Sequence, residues 1–196
     1  PNQIIVRKKQ KSRIASMKNY NSSSRPNKHL HLLVHGSKGG KIHSSLCSLV
    51  DELRTRGKRS VSIEALTNQN PQRIDAGNRS ILLVPLFLLP GNHVVLDVPT
   101  IFKRYTSEGA NIKLYPFLGS SPLWLSLLGD FVTKQNTTVR PALIHHPVNS
   151  ARSNYFLRNL ERFLKIPVIS GAKWNQDGPS MWEKFFPVPY ILTPNK

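Results

Sequence analysis

Two pairs of similar segments occur in the same order along the chain. Leu33-Val34-His35 has a counterpart in Leu143-Ile144-His145, 110 residues later. The apolar segment at 84–90, Val-Pro-Leu-Phe-Leu-Leu-Pro, has a counterpart at 188–194, 104 residues later. Because two matches at nearly the same offset indicate duplication, we expect two similar structural units. The second unit is expected to be incomplete, since the sequence stops before the helix that would follow.

From His29 onward, short apolar runs alternate with amphipathic stretches, a pattern typical of alternating strands and helices. The predicted strands cover 30–34, 60–65, 81–88, 112–115, 142–145, 168–170 and 188–192. The predicted helices cover 42–56, 71–77, 94–107, 122–134, 150–164 and about 179–185. Because crossover helices connect parallel strands, we predict an α/β fold with two flavodoxin-like halves built on parallel sheets. These halves are residues 29–138 and a degenerate, C-terminally short unit at 139–196.

The N-terminal segment, residues 1–28, differs from the rest in composition. The first 50 residues carry ten Lys and Arg, and the first acidic residue is Asp51. Without apolar periodicity, this segment is predicted to be a disordered basic tail. An Arg- and Ser-rich start without acids is also typical of an organelle transit peptide, and a true start at Met17 is a further alternative. We expect a cytoplasmic protein, or one of the plastid stroma if the tail is a transit peptide.

The formal net charge of +18 indicates a polyanionic partner. About half of this charge lies in the N-terminal part, because residues 51–196 carry a net charge of only +8. Cys47, the single cysteine, excludes an internal disulfide and a Cys-based zinc site within this sequence, and we predict that it packs in a core. No apolar run reaches the ~20 residues that span a bilayer, so we expect no membrane partner.

Two histidines follow predicted strands and stand beside glycines. His35-Gly36 follows the first strand, and Gly91-Asn92-His93 follows the third. Because loops at the carboxyl ends of parallel strands line the ligand crevice, we expect both imidazoles to face one cleft. There they could hold a divalent ion or move protons, although partly buried histidines with ordinary hydrogen bonds remain an equal alternative.

Three other motifs are not supported by the residues. A phosphate-binding P-loop fails because His35 stands where its first glycine belongs and Ile42 where its Ser or Thr belongs. A serine hydrolase is disfavoured because the chain has no G-x-S-x-G segment. RNA-stacking motifs of alternating aromatic and basic residues are also missing, so only the tail is left for nonspecific nucleic-acid binding.

The segments Leu32-Leu33-Val34-His35-Gly36-Ser37 and 84–99, Val-Pro-Leu-Phe-Leu-Leu-Pro-Gly-Asn-His-Val-Val-Leu-Asp-Val-Pro, closely resemble the CbiX/SirB sirohydrochlorin chelatases. These are class II tetrapyrrole chelatases. The resemblance covers about residues 29–125 well and 139–196 only as a degenerate repeat. It implies ATP-independent insertion of Fe²⁺ or Co²⁺ into sirohydrochlorin, toward siroheme or cobalamin. The metal is then a substrate, and no organic cofactor is expected.

Carried over by motif, His35 and His93 would bind the metal and accept protons. Glu64 would assist as a base or metal ligand, with a solvated strand-end carboxylate as the alternative. Candidate contacts to the substrate are Ser37, Lys38 and Asn92.

The second unit departs from the pattern. His145 matches His35, but His146 replaces the glycine, and Ser170-Gly171 stands where Glu64 would be. No residue of the sequence matches His93, so we predict that His145 and His146 are structural or vestigial.

We expect a monomer with pseudo-dimeric halves that binds a sirohydrochlorin-like tetrapyrrole. Two alternative functions stay open, namely a non-catalytic tetrapyrrole or metal carrier on the same fold, and nucleic-acid binding through the basic tail.

Overall fold

The computed structural model describes residues 28–57, 60–71, 74, 79–134 and 138–191. The first half contains four strands: β1 (His29–Val34), β2 (Val61–Ala65), β3 (Ile81–Pro85) and β4 (Ile112–Leu114). Its α-helices are α1 (Ser44–Gly57), α2 (Val98–Ser107) and α3 (Pro122–Thr133). Short 3₁₀ turns cover Lys38–Gly40 and Leu118–Ser120, and a π-helical turn, His93–Asp97, leads into α2.

The second half contains the strands β5 (Arg140–His145), β6 (Val168–Ser170) and β7 (Phe185–Tyr190). Its helices are α4 (Ala151–Leu164), α5 (Gly171–Asp177) and α6 (Pro179–Trp182). Helix α4 begins where the Ser150 hydroxyl accepts a hydrogen bond from the Ser153 N–H, which satisfies one of the free donors of the first turn. It ends at Lys165, whose φ of 57° breaks the helical path.

The two sheets share one topology, and every strand pair is parallel. The first sheet has the order β2-β1-β3-β4 and the second has β6-β5-β7. Strands β5, β6 and β7 therefore take the places of β1, β2 and β3. This equivalence confirms the predicted α/β architecture of two flavodoxin-like halves, and it agrees with the duplication read from the sequence.

Strand β7 forms one outer edge of the second sheet. Because β7 pairs with β5 along its whole length and proline cannot donate, the nitrogens of Pro187 and Pro189 lie on the outer side. Pro187 stands at the repeat position of Leu83, whose carbonyl accepts a hydrogen bond from Tyr115 beyond β4. The outer edge of β7 thus lacks two N–H donors that a neighbouring strand would need, a common protection of edge strands.

Helix α3 connects the two halves by packing. Its residues Leu128 and Val132 lie in one buried cluster with Leu143 of β5 and Val188 of β7. The hydroxyl of Tyr190 also donates a hydrogen bond to the carbonyl of Leu88, which follows β3. The predicted boundary at residues 138 and 139 therefore assigns α3 to the first half, although α3 packs against the sheet of the second half.

Several predicted elements differ from the observed ones. The strand predicted over 81–88 ends at Pro85. The apolar run extends further because Leu86 and Leu88 are also buried, although they lie outside the strand ladder. Helix α5 was missed because it begins with glycine and has only Trp174 as a buried anchor. The prediction that Cys47 packs in a core is wrong, since it lies on the solvent face of α1 and is exposed.

Two predictions fall outside the described residues. The basic tail does so almost entirely, and so does most of the helix expected at 71–77. Within the described ranges, no helix is long and apolar enough to cross a membrane.

Candidate functional site

The two histidines singled out by sequence lie side by side. His35 follows β1 directly, and His93 begins the π-helical turn that follows β3. Because β1 and β3 are hydrogen-bonded neighbours with the same direction, their carboxyl ends meet at one edge of the sheet. The imidazole centroids lie 4.5 Å apart, with the rings inclined by 67°.

Each imidazole is held through its Nδ1 atom. His35 Nδ1 lies 2.6 Å from the carbonyl oxygen of Gly36, and His93 Nδ1 lies 2.6 Å from Oδ2 of Asp97. A carbonyl or carboxylate oxygen accepts, so both Nδ1 atoms carry the hydrogen. In the neutral rings each Nε2 atom then keeps its lone pair, the form in which histidine binds a metal or takes up a proton.

The loop after β1 is shaped by close contacts. Gly36 has a φ of 73°, and a Cβ at this position would lie 2.8 Å from Thr67 Oγ1 and closer still to the side chain of Ala65. The Thr67 hydroxyl donates to the carbonyl of Ser37 over 2.6 Å. These contacts hold the backbone beside His35 against the segment that follows β2.

The predicted substrate contacts lie around this loop and beside His93. The Ser37 hydroxyl donates to the carbonyl of Lys41 over 3.2 Å, so it stabilises the loop. Lys38 and Asn92 are exposed. The ring of Phe87 also lies near His93, with centroids 6.1 Å apart and planes 26° apart. The site therefore combines exposed polar groups with one apolar wall.

Glu64 occupies a different environment from the one expected. Its side chain is buried, and its carboxylate accepts hydrogen bonds from Arg104 (2.9 and 3.0 Å), His31 (3.1 Å) and Tyr105. Burial by itself raises the pKa of Glu64, but these three donors outweigh it and hold the pKa below its usual range. The groups that donate hydrogen bonds to Glu64 belong to β1 and α2. The role of Glu64 as a base or metal ligand stays a prediction.

A chain of buried and half-buried polar groups leads to this carboxylate. Successive contacts of 2.6–2.8 Å link Ser60 to His29, His29 to Ser62, and Ser62 to His31. One set of neutral tautomers satisfies all of them: Ser60 donates to His29, His29 to Ser62, Ser62 to His31, and His31 to Glu64. Hydrogen bonding throughout explains how so many polar side chains are tolerated on a buried sheet face.

In the second half, His145 repeats the local geometry of His35. Its Nδ1 atom lies 2.7 Å from the carbonyl oxygen of His146, but the imidazole is buried, with 7% of the residue exposed. The exposed His146 places its own Nδ1 atom 2.9 Å from the carbonyl of Pro147. Ser170 pairs with His145 across the sheet and caps α5 through its hydroxyl.

Two residues of the site were not identified from the sequence. Asp97 stands four residues after His93, a spacing that places both on one helix face and that could have been noticed. Thr67 lies 32 residues from His35, so only the folded structure brings them together.

Among the described residues, no group of three or more His, Cys, Asp and Glu side chains is arranged to hold a metal ion. Structural zinc sites have four protein ligands, and catalytic ones have three. The pair His35 and His93 supplies two imidazole nitrogens, fewer than the ligands of such resident sites.

Comparison with known proteins agrees with this geometry. The CbiX family model matches residues 29–135, and no curated protein sequence matches the chain. A structure of SirB from Bacillus subtilis with Fe³⁺ is similar, with a TM-score of 0.63 and 18% identity, over 87% of this chain and 79% of that one. A sirohydrochlorin chelatase SirB from Bacillus subtilis subspecies spizizenii in complex with cobalt has a TM-score of 0.59 and 18% identity, over 87% and 77%. These structural similarities establish the fold.

Proposed function

Because the chain belongs to the CbiX family, we propose that it inserts Fe²⁺ or Co²⁺ into sirohydrochlorin or a related tetrapyrrole without ATP. The observation that carries this proposal is the pair of imidazoles of His35 and His93, 4.5 Å apart at one sheet edge. The structures of SirB with Fe³⁺ and with cobalt support the choice of metals.

The reaction replaces two protons by one metal ion. Two pyrrole N–H bonds break, four nitrogens bind the metal, and the two protons leave the macrocycle. The Nε2 lone pairs of His35 and His93 serve this exchange, since imidazole is a good ligand for both metals and accepts protons near neutral pH. The two histidines first hold the metal, and their release of the ion to the macrocycle frees them to take up protons.

The charge of the chain suits an acidic macrocycle. Sirohydrochlorin carries eight carboxylates, and residues 51–196 carry a net charge of +8. Exposed Lys38 and Asn92, next to the two histidines, are the proposed contacts to these carboxylates. Positive groups around a cleft raise the local concentration of an anionic substrate and speed its association.

An anaerobic assay tests the proposal. The purified chain is mixed with sirohydrochlorin and either Fe²⁺ or Co²⁺, and metallation is followed by absorbance. The unchanged chain is expected to metallate the macrocycle, and His35→Ala and His93→Ala are expected to lose about 100-fold or more in rate. His43→Ala is a matched control, because His43 is an exposed histidine whose ring bonds to Ser45 in the first turn of α1.

Two results would count against the proposal. Failure of the unchanged chain with both metals, beside an active chelatase, contradicts metal insertion. Tight binding of sirohydrochlorin without metallation, unaffected by His35→Ala and His93→Ala, identifies a carrier instead. The proposal includes a monomer with pseudo-dimeric halves, which light scattering of the purified chain tests directly.

A further inference from the structure

The side chain of Asp97 is turned back toward the site. Asp97 stands where the π-helical turn joins α2, with helical backbone angles (φ −75°, ψ −43°) and no capping hydrogen bond. Its Oδ2 atom lies 2.6 Å from Nδ1 of His93, four residues earlier in the chain. The carboxylate therefore bonds to the imidazole rather than to a backbone N–H.

The backbone between the two residues is also unusual. His93–Asp97 forms a π-helical turn, a rare conformation that is frequently found at functional sites. Both side chains are about half exposed, 44% for His93 and 48% for Asp97, so burial does not force them together. An exposed side-chain contact of this kind contributes little to stability, which points to a role in the site.

We infer that Asp97 is a positioning residue that fixes the tautomer and orientation of His93, an inference that rests on the proposed function. The carboxylate holds the hydrogen on Nδ1 and so keeps the Nε2 lone pair directed at the incoming metal. Carboxylates that bond to the second nitrogen of a metal-binding histidine act in this way, and they raise its strength as a ligand. The partner of His35 is the backbone carbonyl of Gly36, whereas Asp97 is a side-chain partner that a substitution removes directly.

The first test measures the tautomer without any metal. In protein labelled with ¹⁵N at histidine, the unchanged chain is expected to show His93 with its hydrogen on Nδ1. Asp97→Asn and Asp97→Ala are expected to shift His93 toward a mixture of tautomers, because the negative acceptor is gone. Asp51→Asn is the matched control, since Asp51 is an exposed carboxylate on α1 that pairs with Arg54 of its own helix.

The second test measures binding of Co²⁺ alone by its visible absorption. Loss of the orienting carboxylate is expected to weaken Co²⁺ binding by about 10- to 100-fold in both Asp97 variants, with Asp51→Asn unchanged. An unchanged His93 tautomer, or unchanged Co²⁺ affinity in both folded variants, would overturn the inference. If the unchanged chain binds Co²⁺ through His93 but does not metallate sirohydrochlorin, the proposed function fails while the tautomer and affinity results still decide the role of Asp97.

Discussion

His35 and His145 hold their imidazoles in the same way, although 110 residues separate them. In each, Nδ1 lies within hydrogen-bond distance of the carbonyl oxygen of the next residue, 2.6 Å for His35 and 2.7 Å for His145. His35 directly follows β1, an inner strand of the first sheet, and His145 is the last residue of β5, the central strand of the second sheet. The two differ in surroundings, because His35 is exposed beside His93, whereas His145 is buried.

This difference predicts unequal effects of replacing the two histidines. His35→Ala is expected to lower kcat/KM for metallation by about 100-fold or more, because the site loses a ligand and proton acceptor. His145→Gln is expected to lower it less than about tenfold, since a buried imidazole does not reach the substrate. Initial rates at several sirohydrochlorin concentrations, with a melting curve for each variant, measure this. Equal losses in two folded variants would show that the second half contributes directly to the chemistry.

A methyl group at Gly36 is expected to disturb the site without removing any functional group. The positive φ and the contacts with Ala65 and Thr67 leave no room for a Cβ, so the backbone beside His35 must move. Gly36→Ala is expected to weaken Co²⁺ binding by about tenfold or more, because the acceptor of the His35 Nδ1 hydrogen shifts with it. Gly129→Ala is the control, since its Cβ would have only an ordinary contact of 3.8 Å with Leu164. Wild-type affinity in Gly36→Ala would contradict this account of the loop.

Glu64 is expected to matter for stability. Glu64→Gln leaves the Arg104 guanidinium without its counter-charge, and breaking a buried ion pair costs a few kcal/mol. Because Arg104 is 31% exposed and glutamine still accepts a hydrogen bond, we expect a loss of about 1–3 kcal/mol in the free energy of unfolding. Glu52→Gln, which removes an exposed pair with Arg56 on α1, should cost less than about 0.5 kcal/mol. Urea denaturation of both variants compares them, and similar losses would refute a special role for the buried network.

The same carboxylate predicts sensitivity to acid. The pKa of Glu64 in the folded protein lies below its usual value of 4.5, because the donors around it outweigh the effect of burial. Folding therefore gains stability from Glu64 above about pH 4.5, and this gain disappears as the pH falls through the lower folded-state pKa. Unfolding free energies measured from pH 7 to pH 3 should fall less steeply in Glu64→Gln than in the unchanged chain. Parallel curves would mean that other groups cause the acid sensitivity.

The sequence by itself determined the class of fold and the central pair of the site. Hydrophobic periodicity depends on neighbouring residues, so the strands, most helices and the duplication could be predicted from it. His35 and His93 could be paired because the first and third strands of such an α/β unit are usually neighbours in the sheet. The same local pattern predicts a strand through residue 88, because apolar residues beyond the end of the ladder resemble strand residues in sequence. It does not reveal α5, because a helix with one buried anchor shows too little apolar periodicity.

Tertiary structure alone decided what surrounds Glu64 and where α3 packs. The donors to Glu64 come from residues 33 to 41 positions away, and Leu128 of α3 joins a cluster whose residues belong mostly to the second half. Such contacts depend on how whole elements are placed in space, and no spacing along one strand or helix records that placement. From the sequence, the carboxylate of Glu64 at the strand end is therefore expected to be accessible. In the folded structure, Arg104, His31 and Tyr105 donate hydrogen bonds to it, because a buried charge is stable only when its hydrogen bonds are satisfied.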